Sequence, residues 1–356
     1  ADVVIVGDRS TQWYSGWNAD PPTLIPGPTA PIRGAVAEVL EGFEAGSDLG
    51  IDEMVTLFEA RGREVGAVAD AADRLRQDTV GDVVTWVHNR NINYTNVCTF
   101  KCKFCGFAKG KLSLNLRGSP YLLTIEDIQQ RVREAWELGA TEVTLQGGIH
   151  PSFDGDYYVD VCHAVKDAVP EMHVHAFTAL EVHEGAKRLD ASLESYLRRL
   201  HEAGLRSLPG TAAEILDEGP RSILCPDKIT TDEWLEVHET AHRIGLRSNV
   251  TIMAGSIERP IHWARHIERT RDVQRRTGGF TEYIPLPFVH MASPINLQRK
   301  ARRGPTFRET ILLHAGGRLA YRGWIDNVQA SWVKIGVPGV RQLLQAGGND
   351  HGGTLM

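Results

Sequence analysis

Three cysteines carry the most specific chemistry in this sequence. Cys98, Cys102 and Cys105 follow a C-x3-C-x2-C spacing. Thiolates are soft ligands that favour iron–sulfur clusters and zinc. Three of them on one short loop can cap three corners of a four-iron cube. The fourth iron then lacks a protein ligand and can take a substrate. A structural zinc site would want a fourth ligand, and His150, Cys162 and Cys225 stand in no zinc-like spacing to the loop. Lys101, Lys103, Lys109 and Lys111 make the loop lysine-rich, which predicts an exposed segment rather than inert core thiols. A zinc-bound structural or interaction protein is the alternative from another class.

The remaining composition narrows the setting. Five cysteines, three of them within eight residues, make a poor disulfide framework and fit a reducing cytosol. A net charge of −6 argues against a nucleic-acid partner, because phosphate binding needs a basic face. One basic run, Arg299-Lys300-Ala301-Arg302-Arg303, reads as a solvated loop or as an anion clamp. No stretch approaches the ~20 apolar residues that span a bilayer, so no membrane partner is expected. The chain opens on Ala1-Asp-Val-Val-Ile-Val, without an initiator Met or a signal-peptide pattern, which points to a processed piece or fragment.

The cysteine loop needs a scaffold, and the sequence has a repeating one. Residues 1–30 hold Pro21, Pro22, Pro26 and Pro28 and read as a linker or arm. Residues 31–80 predict an N-terminal helical region, with helices near 32–45, 51–60 and 63–79. A strand is expected over 82–88, and residues 81–356 form the main domain. From Ile92 onward, helices end at a glycine followed by a β-rich run, at Gly139, Gly204, Gly245, Gly278 and Gly323. Helix starts are marked by Thr124-x-x-Asp127, Thr230-x-x-Glu233 and Thr306-x-x-Glu309. Ile125, Ile128, Val132 and Ala135 share one helical face, as do Trp234, Val237, Ala241 and Ile244. The fold class is therefore α/β, with six to eight βα units closing into a TIM-type (β/α) barrel; a doubly wound open sheet is the alternative. In such a barrel the chemistry sits at the C-terminal ends of the strands. Cys98 follows an expected strand Ile92–Val97, Gly147-Gly148 follows Thr141–Leu145, and Glu181 and Glu214 follow the next two.

The C-x3-C-x2-C spacing with Phe104 before the third cysteine resembles the signature of radical S-adenosylmethionine (SAM) enzymes. That resemblance implies a [4Fe–4S] cluster on Cys98, Cys102 and Cys105. It also implies SAM bound to the open iron and cleaved to a 5′-deoxyadenosyl radical, with an electron donor supplying the reductant. Phe104, Gly147, Gly148, Glu181 and Glu214 are the residues it places around the cofactor. Gly147-Gly148 matches a glycine motif whose backbone meets the SAM amino group; Ile149 stands where an acidic residue often follows. Glu181 and Glu214 are expected at ribose hydroxyls or the amino group, with a capping or surface carboxylate as the other reading.

The likeness is closer still to the FO synthase family of deazaflavin biosynthesis, in its tyrosine-using half. The stretches that carry it are Asn89-Arg-Asn-Ile-Asn-Tyr-Thr-Asn-Val-Cys98, Leu145–Pro151, Leu208–Leu216, Pro285–Met291, Gln298–Pro305 and Asn349–Met356. It implies a transferase that joins the hydroxybenzyl group of L-tyrosine to 5-amino-6-(D-ribitylamino)uracil, and a second radical SAM half, fused or separate, that closes the ring. A neighbouring enzyme of futalosine-pathway menaquinone synthesis is the runner-up. Asn249, Asn327, Gln329, Asn349 and Asp350 are the expected substrate-binding residues, since amides suit a pyrimidine edge and hydroxyls. His150, His173, His175 and His290 are acid–base candidates, though lone barrel histidines are more often structural. Two departures stand out. Gly316-Gly317 interrupts an expected helix and predicts a weakened one, at about 1 kcal/mol per glycine, and the chain stops at Met356 where the family continues.

Overall fold

The computed structural model of this chain describes residues 31–109 and 119–354. The proline-rich opening and Lys111 lie outside the described residues. Three helices come first: α1 (Ala35–Glu44), α2 (Ile51–Glu59) and α3 (Arg63–Val80). Strands β1 (Thr85–Val87) and β2 (Asn89–Asn93) follow. Helix α4 (Ile125–Glu137) leads to β3 (Glu142–Gln146), α5 (Gly155–Ala168) to β4 (His173–Ala176), and α6 (Ala179–Arg188) with α7 (Leu193–Glu202) to β5 (Leu205–Leu208). Next come α8 (Glu218–Leu224), α9 (Thr231–Arg243), β6 (Arg247–Ala254), α10 (Pro260–Thr277) and β7 (Phe280–Pro287). The chain continues through α11 (Pro294–Leu297), α12 (Phe307–Ala320), β8 (Asn327–Val328), α13 (Trp332–Leu343) and β9 (Asp350–Gly353).

Strands β2 to β8 form one sheet in sequence order, every neighbour parallel. That unreversed order excludes the doubly wound alternative, whose strand order turns back on itself. The curl continues past β8. Ala330 N–H donates to the Asp350 carbonyl at 2.8 Å, and Asn349 N–H to that of Val328 at 3.0 Å. β9 in turn pairs with β1. The Thr354 hydroxyl donates to the Asn89 carbonyl at 3.0 Å and accepts from the Asn89 N–H at 3.0 Å. The last strand thus lies between the two ends of the seven-stranded sheet.

Local chemistry explains the elements. All three expected capping boxes form, at Thr124/Asp127, Thr230/Glu233 and Thr306/Glu309. Gly139, Gly204, Gly245, Gly278 and Gly323 all adopt positive φ, between 61° and 121°, the backbone region that glycine enters without a Cβ penalty. Ile128, Val132, Ala135, Trp234, Val237 and Ala241 are buried against the sheet. The strand expected over Ile92–Val97 starts earlier, at Asn89, and stops at Asn93. Beyond it Tyr94–Val97 bonds to loops instead: Leu123 N–H to the Tyr94 carbonyl at 2.8 Å, and Gly148 N–H to that of Thr95 at 3.0 Å.

The glycine pair in α12 has the opposite meaning from the one expected. The helix runs unbroken from Phe307 to Ala320. A Cβ on Gly316 would meet the Phe58 ring at 2.6 Å, and one on Gly317 the Tyr283 ring at 2.2 Å. The two glycines let α12 close on α2 at one side and on β7 at the other. Helix α2 also packs on α10, where the Phe58 and Trp263 rings meet edge to face at 5.7 Å. Among the described residues, no helix is long and apolar enough to cross a membrane.

Candidate active site

The three-cysteine loop sits on the rim at the C-terminal ends of β2 and β3. It is tied there by Cys98 N–H to the Lys109 carbonyl at 3.0 Å and by Thr99 N–H to that of Ile149 at 3.0 Å. Lys103 N–H donates to Leu224 and Ile295 N–H to Lys103, at 2.7 and 2.8 Å. All three cysteines are half-buried. Two sulfurs face a backbone donor: Ile149 N–H to Cys98 Sγ and Ala108 N–H to Cys105 Sγ, both at 3.4 Å. Burial pushes the Cys98 and Cys102 thiols above the usual range, and the Cys105 sulfur adds to that in both. Lys109 departs from the exposed lysine-rich loop expected. It is buried, because its backbone bridges the Val97 segment through Asn96 and Cys98.

A cluster fits this loop better than zinc does. A tetrahedral zinc with bonds of about 2.3 Å brings its sulfurs to about 3.8 Å of one another. Among the described residues, no fourth Cys or His completes a tetrahedral set with the three cysteines. A four-iron cube holds its thiolates farther apart, and N–H groups aimed at sulfur stabilise the thiolate form. A cation stands close as well. Lys228 bonds both oxygens of Glu214 at 2.9 Å, faces the Phe104 ring at 5.4 Å, and acts electrostatically on Cys102. Burial alone lowers the Lys228 ammonium, but Glu214, Cys102 and Cys225 outweigh it and lift the group to about 12.

Gly147 and Gly148 lie against the loop's base. A Cβ on Gly148 would meet the Val97 carbonyl oxygen at 2.2 Å and Cys98 Cβ at 3.0 Å; one on Gly147 would meet the Tyr94 ring at 2.3 Å. Their N–H groups are engaged, Gly147 with Glu181 at 2.9 Å and Gly148 with Thr95 at 3.0 Å. Glu181 has no exposed surface. Its carboxylate accepts from Gly147 N–H and the Tyr94 hydroxyl, and, at 2.6 Å, from Thr178 N–H, completing a capping box at the start of α6. The structure bears out the capping reading of Glu181, and the Thr178-x-x-Glu181 spacing carries its signal.

The inward face of the sheet lines a partly open, polar cavity of about 510 Å³. Asn249, Asn327, Gln329 and Asp350 all line it. Asn249 Oδ1 accepts from Gly210 N–H at 2.6 Å, and Gln329 Nε2 lies 3.4 Å from both oxygens of Glu282. Asn349 does not reach the cavity. It is 1% exposed and ties Arg318, the Val328 N–H and Asn327 together. His175 lines the cavity; His150 and His290 do not. Gln146 at the end of β3 also lines it, and the next two residues are the glycine pair.

Several lining residues escaped the sequence reading: Glu142, Ser207, Thr211 and Glu282. The signal was alternation. Asn89/Asn91, Glu142/Thr144/Gln146 and His173/His175 are polar at every second position, where a strand buried on both faces should be apolar. Burial, with Asp350 adding to it, holds the Glu282 carboxyl well above the usual range.

Comparison with known proteins agrees with this geometry. A family model described as the radical SAM superfamily matches residues 92–269. In fold, the chain resembles the crystal structure of methylornithine synthase, with a TM-score of 0.69 at 17% identity over 89% of this chain and 86% of that one. It is 49% identical to an FO synthase of Nocardia farcinica over 86% of its length, and that match spans 35% of the relative. It is 42% identical to the 5-amino-6-(D-ribitylamino)uracil–L-tyrosine 4-hydroxyphenyl transferase of Methanothermobacter thermautotrophicus, over 85% of this chain and 82% of that protein. The chain therefore belongs to the radical SAM superfamily, in the family that holds the FO synthases and this transferase. It spans about a third of the length of the FO synthase it matches.

Proposed function

We propose that this chain joins the hydroxybenzyl group of L-tyrosine to 5-amino-6-(D-ribitylamino)uracil, a carbon–carbon bond-forming step toward a deazaflavin. The observation that carries the reading is a polar cavity that reaches Gln146, the residue before the Gly147-Gly148 pair that packs against Cys98. At about 510 Å³ it falls within the ~300–1,000 Å³ of ordinary ligand sites. The family and the relative in Methanothermobacter thermautotrophicus support it.

In this reading Cys98, Cys102 and Cys105 hold a [4Fe–4S] cluster, and the carbonyls beside Gly147 and Gly148 meet SAM, their N–H groups being engaged elsewhere. Bound there, cluster and SAM supply a 5′-deoxyadenosyl radical once an electron donor reduces the site. Phe104 and the Lys228–Glu214 pair border the cofactor, while Glu181 positions Gly147 from behind. Asn249, Asn327, Gln329 and Asp350 orient the two substrates, and Asn349 fixes Asn327. Glu282, its carboxyl held above the usual range by burial, faces the substrates from the cavity wall. A second radical SAM half closes the ring, and the thiol chemistry suits a reducing, cytoplasmic setting.

The test is substrate discrimination. Reduced, cluster-loaded protein is incubated with SAM and either tyrosine plus the ribitylaminouracil or a purine-linked futalosine-pathway substrate. Formation of 5′-deoxyadenosine that needs tyrosine, together with a hydroxybenzyl–uracil adduct, is expected. Turnover with the purine substrate alone would overturn the assignment.

A further inference from the structure

One cluster in the barrel plays no part in the chemistry above. Glu142, His173 and His175 each place a ligand atom within 4.8 Å of the others. The sheet register dictates this. Glu142 on β3 lies opposite His173 on β4, Thr144 lies opposite His175, and His175 opposite Ser207 on β5. Residues two apart on one strand share a face, so these groups turn inward at neighbouring levels of the barrel.

Their orientation is held from behind. Oε1 of Glu142 accepts from Asn89 Nδ2 at 3.2 Å and Thr144 Oγ1 at 3.3 Å. Oε2 is the oxygen turned to His173 Nε2, 3.9 Å away. His173 Nε2 and His175 Nδ1 converge on the Ser207 hydroxyl, at 2.7 and 2.8 Å. One ligand atom each of Glu142, His173 and His175 therefore stands within reach of the others, and a cation seated among them would take the imidazole nitrogens from the Ser207 hydroxyl. Two histidines and one carboxylate form a facial set for first-row divalent metals that leaves coordination positions open, and partners that lock the ligand side chains are the usual support of such sites.

The cavity wall beside the site is acidic, while Lys166 and Arg206, which do not line it, act electrostatically on His173. Glu142 and His175 both line the cavity, as do Glu282 and Asp350. Among the described residues lining it, Lys334 is the one lysine or arginine.

We propose that Glu142, His173 and His175 bind one divalent first-row transition cation, with its open positions facing the barrel cavity. The proposal does not rest on the radical reaction, and its test does not read that reaction.

The experiment uses the chain with Cys98→Ser, Cys102→Ser and Cys105→Ser together, so that no cluster thiolate competes for metal. Co²⁺ is titrated in and followed by its visible d–d absorption and by equilibrium dialysis. One Co²⁺ per chain is expected, with affinity weakened at least about tenfold by each of Glu142→Gln, His173→Gln and His175→Gln. Zn²⁺ should displace it. Binding unchanged in all three variants, or no stoichiometric binding, overturns the site. Should the triple variant not fold, the cluster-loaded parent is titrated with Mn²⁺ and followed by loss of the free-ion EPR signal. The same His175→Gln comparison then decides, and equal Mn²⁺ uptake by parent and variant overturns the proposal.

Discussion

Glu181 separates two readings of the same carboxylate. As a cofactor ligand it would be dispensable for folding; as placed here it accepts three hydrogen bonds. Glu181→Ala leaves the Gly147 N–H, the Thr178 N–H and the Tyr94 hydroxyl without their acceptor in a site with no exposed surface. An unsatisfied buried donor costs about 1–3 kcal/mol. Water entering the space left by the side chain recovers part of the sum, so a net loss of about 3–5 kcal/mol is expected. That is a large share of the ~5–15 kcal/mol that holds a typical domain together. At roughly 2–4 °C per kcal/mol for a large domain, the thermal midpoint should fall by roughly 6–20 °C. Tyr94→Phe removes one donor with its acceptor otherwise satisfied, so it should lose about 1 kcal/mol. The assay is thermal and urea unfolding of the two variants beside the parent, with SAM affinity measured in parallel by equilibrium dialysis. A Glu181→Ala midpoint within 1–2 °C of the parent, joined to a large loss of SAM affinity, would refute the structural role.

Gly148→Ala should displace the Val97 carbonyl and Cys98, with an overpacking cost of about 1–3 kcal/mol. Iron content after reconstitution should fall with it, whereas Gly42→Ala in α1, at a position with open space around it and no positive φ, should leave iron content unchanged. Lys228→Met isolates the half-buried Glu214 carboxylate and should cost up to about 3 kcal/mol in urea unfolding; the double variant Lys228→Met/Glu214→Leu should lose less than the single one. Burial holds His314 at about 4 and His266 at about 3 in the folded chain. An unfolded imidazole titrates near ~6.5, so the unfolded state binds protons first as the solution is acidified. Stability should therefore fall as pH drops from about 6.5 toward 4, read as a lower urea midpoint at pH 5 than at pH 7.5; equal midpoints contradict it.

Much of the scaffold was legible because its signals are local. A threonine three residues before an acidic group marks a helix start, and a glycine at positive φ marks its end, whatever surrounds them. The cysteine spacing was legible for the same reason. The parts that were not legible depend on packing across the sheet. Gly316 and Gly317 look like helix breakers until Phe58 and Tyr283 stand beside them. Asn349 and Asp350 are adjacent in sequence, yet one is enclosed behind the wall and the other lines the cavity. Glu142, His173, His175 and Ser207 are brought together by the register of three strands, which no single stretch of sequence records. Their polar alternation was visible, but its meaning required knowing that the inward face lines a cavity and not a packed apolar core.

The central claim is that Cys98, Cys102 and Cys105 carry a [4Fe–4S] cluster with one iron open to SAM. The most direct measurement is iron and sulfide analysis of anaerobically reconstituted protein, with EPR of the reduced sample before and after SAM is added. The account predicts four irons and four sulfides per chain, a signal that changes with SAM, and loss of both in each single Cys→Ala variant of the three but not in Cys162→Ala. Colourless protein holding one zinc and no sulfide would contradict it.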